Sequence, residues 1–194
     1  MGRIVVTEFV SLDGVMEDPG GAEDFVHGGW TFRFDRGEEG DRWKLWELEQ
    51  AEAQLLGRVT YEGFAAAWPS RDDPTGFAAH MNTMPKYVVS TTMRDGDATW
   101  NNSTVVRGDV LGEVAALRER TAGDILVAGS ASLATALLEH GLVDELRLMV
   151  FPIVLGAGRR LFGSMAEPST LQLHSVQTVG EGVVIMTYRA AGQD

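Results

Sequence analysis

Gln54-Leu55-Leu56-Gly57-Arg58-Val59-Thr60-Tyr61-Glu62 is the stretch that decides the fold. Gln54, Leu55 and Leu56 suit a short buried strand, Gly57 allows a turn, and a helix is expected from Thr60 to Ala67. A strand that hands over directly to a helix is the repeating unit of a parallel sheet covered by helices. The junction also suits an anion. A helix N-terminus offers unpaired N–H groups and a positive dipole end, glycine lets a phosphate approach the backbone, and Arg58 can pair with phosphate oxygens. The alternative for these residues is a plain strand-to-helix turn with a surface arginine.

Working outward, the same alternation recurs. Upstream, Arg3 to Val10 reads as a strand, Asp18 to Gly40 as one long loop rich in glycine and charge, and Glu39 to Ala53 as a helix. Loops of that length in compact domains are usually functional or mobile. Downstream of a Pro69 to Gly76 loop, Lys86 to Ser90 and Thr104 to Arg107 read as strands. Val110 to Arg120 reads as a helix with Leu111, Val114 and Leu117 on one face, Ile125 to Ala128 as a strand and Leu133 to His140 as a helix. The end differs, because Asp144 to Leu155, Thr170 to Val179 and Val183 to Arg189 are consecutive strands, the last two joined by the hairpin-like turn Gly180-Glu181-Gly182. The expectation is a single α/β domain over residues 1–194, with a mostly parallel central sheet flanked by helices and antiparallel C-terminal edge strands.

Composition narrows the partners. The 194 residues are 44% hydrophobic and 23% charged, with a net charge of −12. The two lysines, Lys44 and Lys86, lie far apart, which argues against a nucleic-acid groove. No cysteine is present, so disulfides, thiolate metal sites and a cysteine nucleophile are excluded. The four histidines are scattered without paired spacing, which argues against a metal site. The longest apolar stretch, Leu148 to Ala157, contains Pro152 and is about half of the ~20 residues a membrane helix needs. With Met1-Gly2-Arg3 passing straight into a strand, a cytoplasmic protein is expected, with no membrane partner.

Further strand ends carry polar residues. Ile125-Leu126-Val127-Ala128-Gly129-Ser130-Ala131-Ser132-Leu133 again runs from a buried strand into small residues that open a helix, where Ser130 or Ser132 can cap while free N–H groups face a pyrophosphate. Tight helix-to-sheet packing is the alternative. It is not the G-x-G-x-x-G fingerprint, and neither a P-loop nor a G-x-S-x-G elbow occurs. Val88-Val89-Ser90-Thr91-Thr92 sets three hydroxyls in a row where a ribose or phosphate can lie, although such residues also start ordinary loops. In Ser11-Leu12-Asp13-Gly14-Val15-Met16, Asp13 can donate a proton or anchor substrate if buried with a raised pKa, or can simply be a turn residue. Trp30 and Phe32 stand in the long loop as a lid over a flat ring or a cover for a dimer partner. Trp43 and Trp46, three apart on a helix, suit core packing.

In this order the elements resemble the dihydrofolate reductase-like family that includes the reductase domain of the bifunctional riboflavin-biosynthesis deaminase-reductase, particularly its small stand-alone bacterial members. The resemblance runs from Ile4 to Tyr188. It is carried by Ser11 to Gly14, Gly57 to Glu62, Ala128 to Leu138, Gly141-Leu142-Val143-Asp144-Glu145-Leu146 and Pro152 to Gly158. It implies a sheet of about eight strands and an NADPH-dependent reductase passing a hydride to a C=N or C=O group. The implied substrate is small, either heterocyclic (pteridine- or pyrimidine-like) or sugar-linked. By the resemblance, Gly57, Arg58 and Thr60 match the cofactor-phosphate turn, and Ser90, Thr91 and Thr92 the strand end near the adenosine 2′-phosphate. Gly129, Ser130, Ala131, Ser132 and Leu133 match the turn over the pyrophosphate and nicotinamide ribose, where the family usually has a second glycine in place of Ser130. Asp13 matches the aspartate near the substrate pocket, where it is expected to deliver a proton or anchor substrate. Glu47 and Glu49 lie on the helix from which dihydrofolate reductases hold a pterin, with no flanking motif to choose between them. The absent cysteines exclude the deaminase half. A homodimer through the Asp144 to Leu155 strand is the analogy for assembly. A non-catalytic nucleotide-, flavin- or pterin-binding module is the competing class, with Trp30 and Phe32 stacking on a ring.

Overall fold

A computed structural model describes residues 1–163 and 165–191. Its centre is one eight-stranded sheet in the order β4-β3-β2-β5-β1-β6-β8-β7. The strands are β1 (Arg3–Ser11), β2 (Ala51–Gly57), β3 (Lys86–Val89), β4 (Ser103–Val106), β5 (Asp124–Val127), β6 (Glu145–Phe151), β7 (Leu171–Val179) and β8 (Val183–Ala190). The first six run parallel, and β8 and β7 close the sheet as an antiparallel pair. The helices are α1 (Gly37–Gln50), α2 (Arg58–Ala67), α3 (Phe77–Thr83), α4 (Val110–Arg120) and α5 (Ala131–Glu139).

Alternation along β1 explains why both faces are covered. Ile4, Val6 and Val10 join one cluster with Val114 and Leu117 of α4 and Leu133 and Leu137 of α5. Val5, on the opposite face, packs with Leu48 of α1, Tyr61 of α2 and Met81 of α3. Burial on both faces is why the parallel strands read as nearly continuous apolar runs.

Several expectations are corrected. The Asp18 to Gly40 stretch is folded rather than one open loop: the Asp18 carboxylate accepts the Ala22 and Phe25 N–H groups, a 3-10 turn spans Trp30–Arg33, and α1 begins at Gly37. The helix expected to reach Ala53 stops at Gln50, because Ala51 and Ala53 already pair with β5. The unassigned stretch after Gly76 holds α3, whose first turn is gathered by Asp73 accepting the Phe77 and Ala78 N–H groups. The strand expected to reach Leu155 ends at Phe151, since Pro152 has no N–H for the ladder. That strand is also interior, hydrogen-bonded to β1 and β8, so it offers no free edge to a dimer partner; the sheet's edges are β4 and β7. No described helix is long and apolar enough to cross a membrane.

Candidate functional site

Parallel strands deliver their carboxyl ends to one edge of the sheet, and there two turns meet. Leu55 of β2 pairs with Val127 of β5, so the turns after these strands lie side by side. The Gly57 N–H donates to the Gly129 carbonyl at 3.1 Å. A Cβ on Gly57 would stand 2.9 Å from the Ser130 Cβ, and one on Gly129 would stand 2.6 Å from Thr60 Oγ1, at a φ of +89° that disfavours any side chain. Glycine is therefore what lets each turn seat against the other.

Both helices that leave these turns start without a side-chain cap. Gly57 occupies the N-cap of α2, and Ser130, at the N-cap of α5, makes no capping bond. The capping expected of Ser130 or Ser132 is not made, because the two hydroxyls bond to each other at 2.9 Å. The first-turn N–H groups of two helices thus open toward one cleft, lined by Val59, Thr60, Ser130 and Ala131 together with Met16, Glu17, Glu23 and Arg159. Burial, then the neighbouring Asp18, raises the Glu23 carboxyl above its ordinary range. Arg58 is exposed, and its guanidinium is held by both oxygens of Glu62 at 3.0 and 2.8 Å.

The third strand end extends the same edge. Gly57 pairs with Val89, which carries Arg58 alongside Ser90. The Ser90 hydroxyl is turned inward and accepts the Thr92 and Met93 N–H groups at 3.2 and 3.0 Å, leaving the side chains of Thr91 and Thr92 exposed.

Asp13 corrects an expectation. Its carboxylate accepts the Ser11 hydroxyl at 2.7 Å, the Leu155 N–H at 3.0 Å and the Gly156 N–H at 2.9 Å. These bonds, Ser11 first, hold its carboxyl down to about 2, so it is a carboxylate at neutral pH and not the raised-pKa proton donor. It clamps two segments that lie more than 140 residues apart, an arrangement extended by the Leu12 N–H on the Ile153 carbonyl and the Leu161 N–H on the Gly14 carbonyl.

Trp30 and Phe32 are separated by the fold. Trp30 has 0% exposure, stacks edge-on against Phe151 and donates Nε1–H to the Glu17 carbonyl, so it packs the core and cannot stack on a ligand. Phe32 is 77% exposed. Trp43 and Trp46 lie 6.4 Å apart between ring centroids, and Trp46 keeps an exposed edge. On α1 the fold chooses Glu47 over Glu49: Glu47 is buried and engaged by Thr7 Oγ1 at 3.0 Å, Lys44 at 2.5 Å and Arg147 at 3.4 Å. Its oxygens are committed to protein groups.

Sequence reading missed Glu8. It is 6% exposed, its Oε1 has no hydrogen-bond partner among the described residues, and it faces the Gly129 N–H. Burial pushes its carboxyl up to about 8. A lone glutamate inside Ile4-Val5-Val6-Thr7-Glu8-Phe9-Val10 was the available signal, since such an acid has to be paired or neutral. Among the described residues, no group of three or more His, Asp or Glu is placed to hold a metal ion.

The family described as "RibD C-terminal domain" matches residues 3–185. A curated relative, "Uncharacterized protein YyaP" of Bacillus subtilis (strain 168), is 30% identical over 193 residues, covering 98% of this chain and 96% of that protein. The structure of a "Putative riboflavin biosynthesis protein" from Shewanella sp. PV-4 superposes with a TM-score of 0.77 at 22% identity, covering 96% of this chain and 98% of that one. Dihydrofolate reductase from Enterococcus faecalis, solved in complex with NADP(H), superposes with a TM-score of 0.56 at 14% identity, covering 97% of this chain and 96% of that one. The fold is therefore dihydrofolate reductase-like.

Proposed function

The chain belongs to the RibD C-terminal domain family, and from that premise we propose that it is an NADPH-dependent reductase acting on a C=N or C=O group of a small heterocyclic or sugar-linked substrate. The observation that carries this reading is the pair of uncapped helix N-termini, α2 and α5, locked together through Gly57 and Gly129. Two such termini in one cleft suit a pyrophosphate, which needs several N–H donors and a positive field.

The donor set fits the cofactor along the whole edge. Gly57, Thr60 and the Gly129 to Leu133 turn would hold the phosphates that bridge the two nucleosides. Arg58 with Thr91 and Thr92 would meet the 2′-phosphate, since a guanidinium and hydroxyls favour a dianion there. When bound, the cofactor supplies the hydride. The chain's own work is to bind, orient and exclude water: Asp13 fixes the loop after β1 against Leu155 and Gly156, and Phe32 is left as an exposed aromatic while Trp30 is buried. The internal pairing of Glu47 speaks against a pteridine held by that acid and favours a substrate anchored otherwise. Assembly as a homodimer would use β7, the exposed edge, rather than β6.

Calorimetric titration with NADPH and, separately, NADH tests the cofactor. Selective binding of NADPH is expected, and Arg58→Ala should weaken NADPH roughly tenfold, with a smaller loss for NADH, if it meets the 2′-phosphate. Equal loss for both would move Arg58 to the pyrophosphate. Following NADPH absorbance across carbonyl and imine substrates then tests turnover; tight binding without oxidation of any of them would favour a retained-nucleotide module instead.

A further inference from the structure

We propose that Glu8 is a positioning residue of the cofactor site, which supports the Gly57 and Gly129 turns as a neutral acid and weakens their hold on an anionic ligand when it loses its proton. This rests on the dinucleotide reading above and adds to it a proton-linked residue.

The geometry begins with strand alternation. Thr7 turns toward α1, where its hydroxyl meets Lys44 and Glu47, and Phe9 lies under the Lys44 ammonium. Glu8 must point to the other face, where its strand neighbours Val6 and Val10 are core residues and its register partner on β6 is Leu148. A carboxylate without a paired cation is costly in such surroundings, and the group stays neutral instead.

What lies next to it gives the acid its consequence. The Gly129 N–H faces the Glu8 carboxyl, and the Gly129 carbonyl accepts the Gly57 N–H. The line Glu8, Gly129, Gly57 therefore runs beneath the N-termini of both α5 and α2. An ionised Glu8 and a bound phosphate would draw on the same positive helix ends, and each disfavours the other. The charged groups around it do not remove this competition. Lys44 favours ionisation from α1 and Glu47 opposes it, while Arg159, Glu17 and Glu23 stand at the cleft rim. Burial outweighs these and holds the acid at about 8.

The sign follows from linkage. An anion favours protonated Glu8, so binding takes up a proton at pH values near and above the free protein's value, and affinity falls as pH rises through it. If the ligand raises Glu8 by one unit, affinity at about pH 9.5 is roughly sevenfold below that at about pH 7.

The experiment is NADPH calorimetry on the full chain at about pH 7, 8.5 and 9.5, in two buffers of different ionisation heat so that proton uptake is read directly. The wild type should take up protons near pH 8.5 and lose affinity toward pH 9.5. Glu8→Gln, which copies the neutral acid, should show neither effect and should bind NADPH more tightly than the wild type at pH 9.5. Equal proton uptake and an equal pH slope in both proteins would overturn the role of Glu8 alone. So would a flat wild-type profile, an outcome that does not depend on how the variant folds. No NADPH binding by the wild type at any pH would instead overturn the dinucleotide reading and this proposal with it.

Discussion

Thr7 and Glu8 are consecutive residues of the central strand, and the polar groups they meet on opposite faces of the sheet behave differently. On the α1 face, Thr7 joins a network in which each charge has a partner. Arg147, 1% exposed, reaches Glu145 at 2.6 Å, Asp124 at 3.2 Å and Glu47 at 3.4 Å, with the Trp46 ring centroid 4.9 Å away. Arg3 and Arg189 complete Glu145 from outside; burial works to raise that carboxyl, but the three arginines overcome it and hold it low. On the other face Glu8 has an oxygen with no hydrogen-bond partner among the described residues. Equal burial thus yields a structural node where charges are matched and a titratable group where they are not.

The largest expected effect breaks the matched side. Arg147→Ala leaves Glu47, Asp124 and Glu145 without their shared cation and should cost about 3–5 kcal/mol of stability by urea unfolding. Arg147→Met with Glu47→Leu, which removes both partners of one pair, should cost less per charge removed than Arg147→Ala if unmatched charge is the cause.

A pH series sharpens the unmatched side. Glu8 is raised from an ordinary 4.5 to about 8 in the fold, so its contribution to stability is full below pH 4.5 and is lost as pH rises toward 8. Stability should fall over that window in the wild type, and Glu8→Gln should flatten the slope. Lys86 acts in a separate window with the opposite sign. Desolvation lowers it from 10.5 to about 8 even though its ammonium donates to the Asn82, Met84 and Asn101 carbonyls. Stability should therefore recover as pH rises from 8 to 10.5, and Lys86→Met should remove that recovery.

Smaller effects fall at the turns. Gly57→Ala sets a Cβ against Ser130 and should push the α5 N-terminus away from α2, weakening NADPH several-fold in calorimetry and costing about 1–3 kcal/mol of stability by urea unfolding. The smallest is Glu62→Gln, which frees Arg58 from an exposed pair and should change NADPH affinity by less than about twofold.

The fold was largely legible because its signals are local. Leu55-Leu56-Gly57-Arg58 announces a strand that becomes a helix, and Gly180-Glu181-Gly182 announces the β7–β8 hairpin; each needs only a few consecutive residues. The two glycine turns after β2 and β5 were legible for the same reason. The raised-pKa reading of Asp13 and the lid reading of Trp30 failed because both surroundings depend on distant partners. The Asp13 carboxylate is satisfied by Leu155 and Gly156, and Trp30 is buried against Phe151. Neither partner is implied by the flanking residues.

By itself, the sequence determined the succession of strands and of every helix but α3, the helix-covered parallel sheet and the glycine turns at two strand ends, because hydrophobic period and turn chemistry act over short spans. The tertiary structure alone decided that Gly57 and Gly129 touch, that Glu47 is spent on Lys44 and Arg147, and that Glu8 is buried beside the Gly129 turn with one oxygen unpartnered among the described residues. Those outcomes depend on which strands become neighbours and which face each residue takes, and a carboxyl's proton depends on the charges and donors that packing brings within a few ångströms.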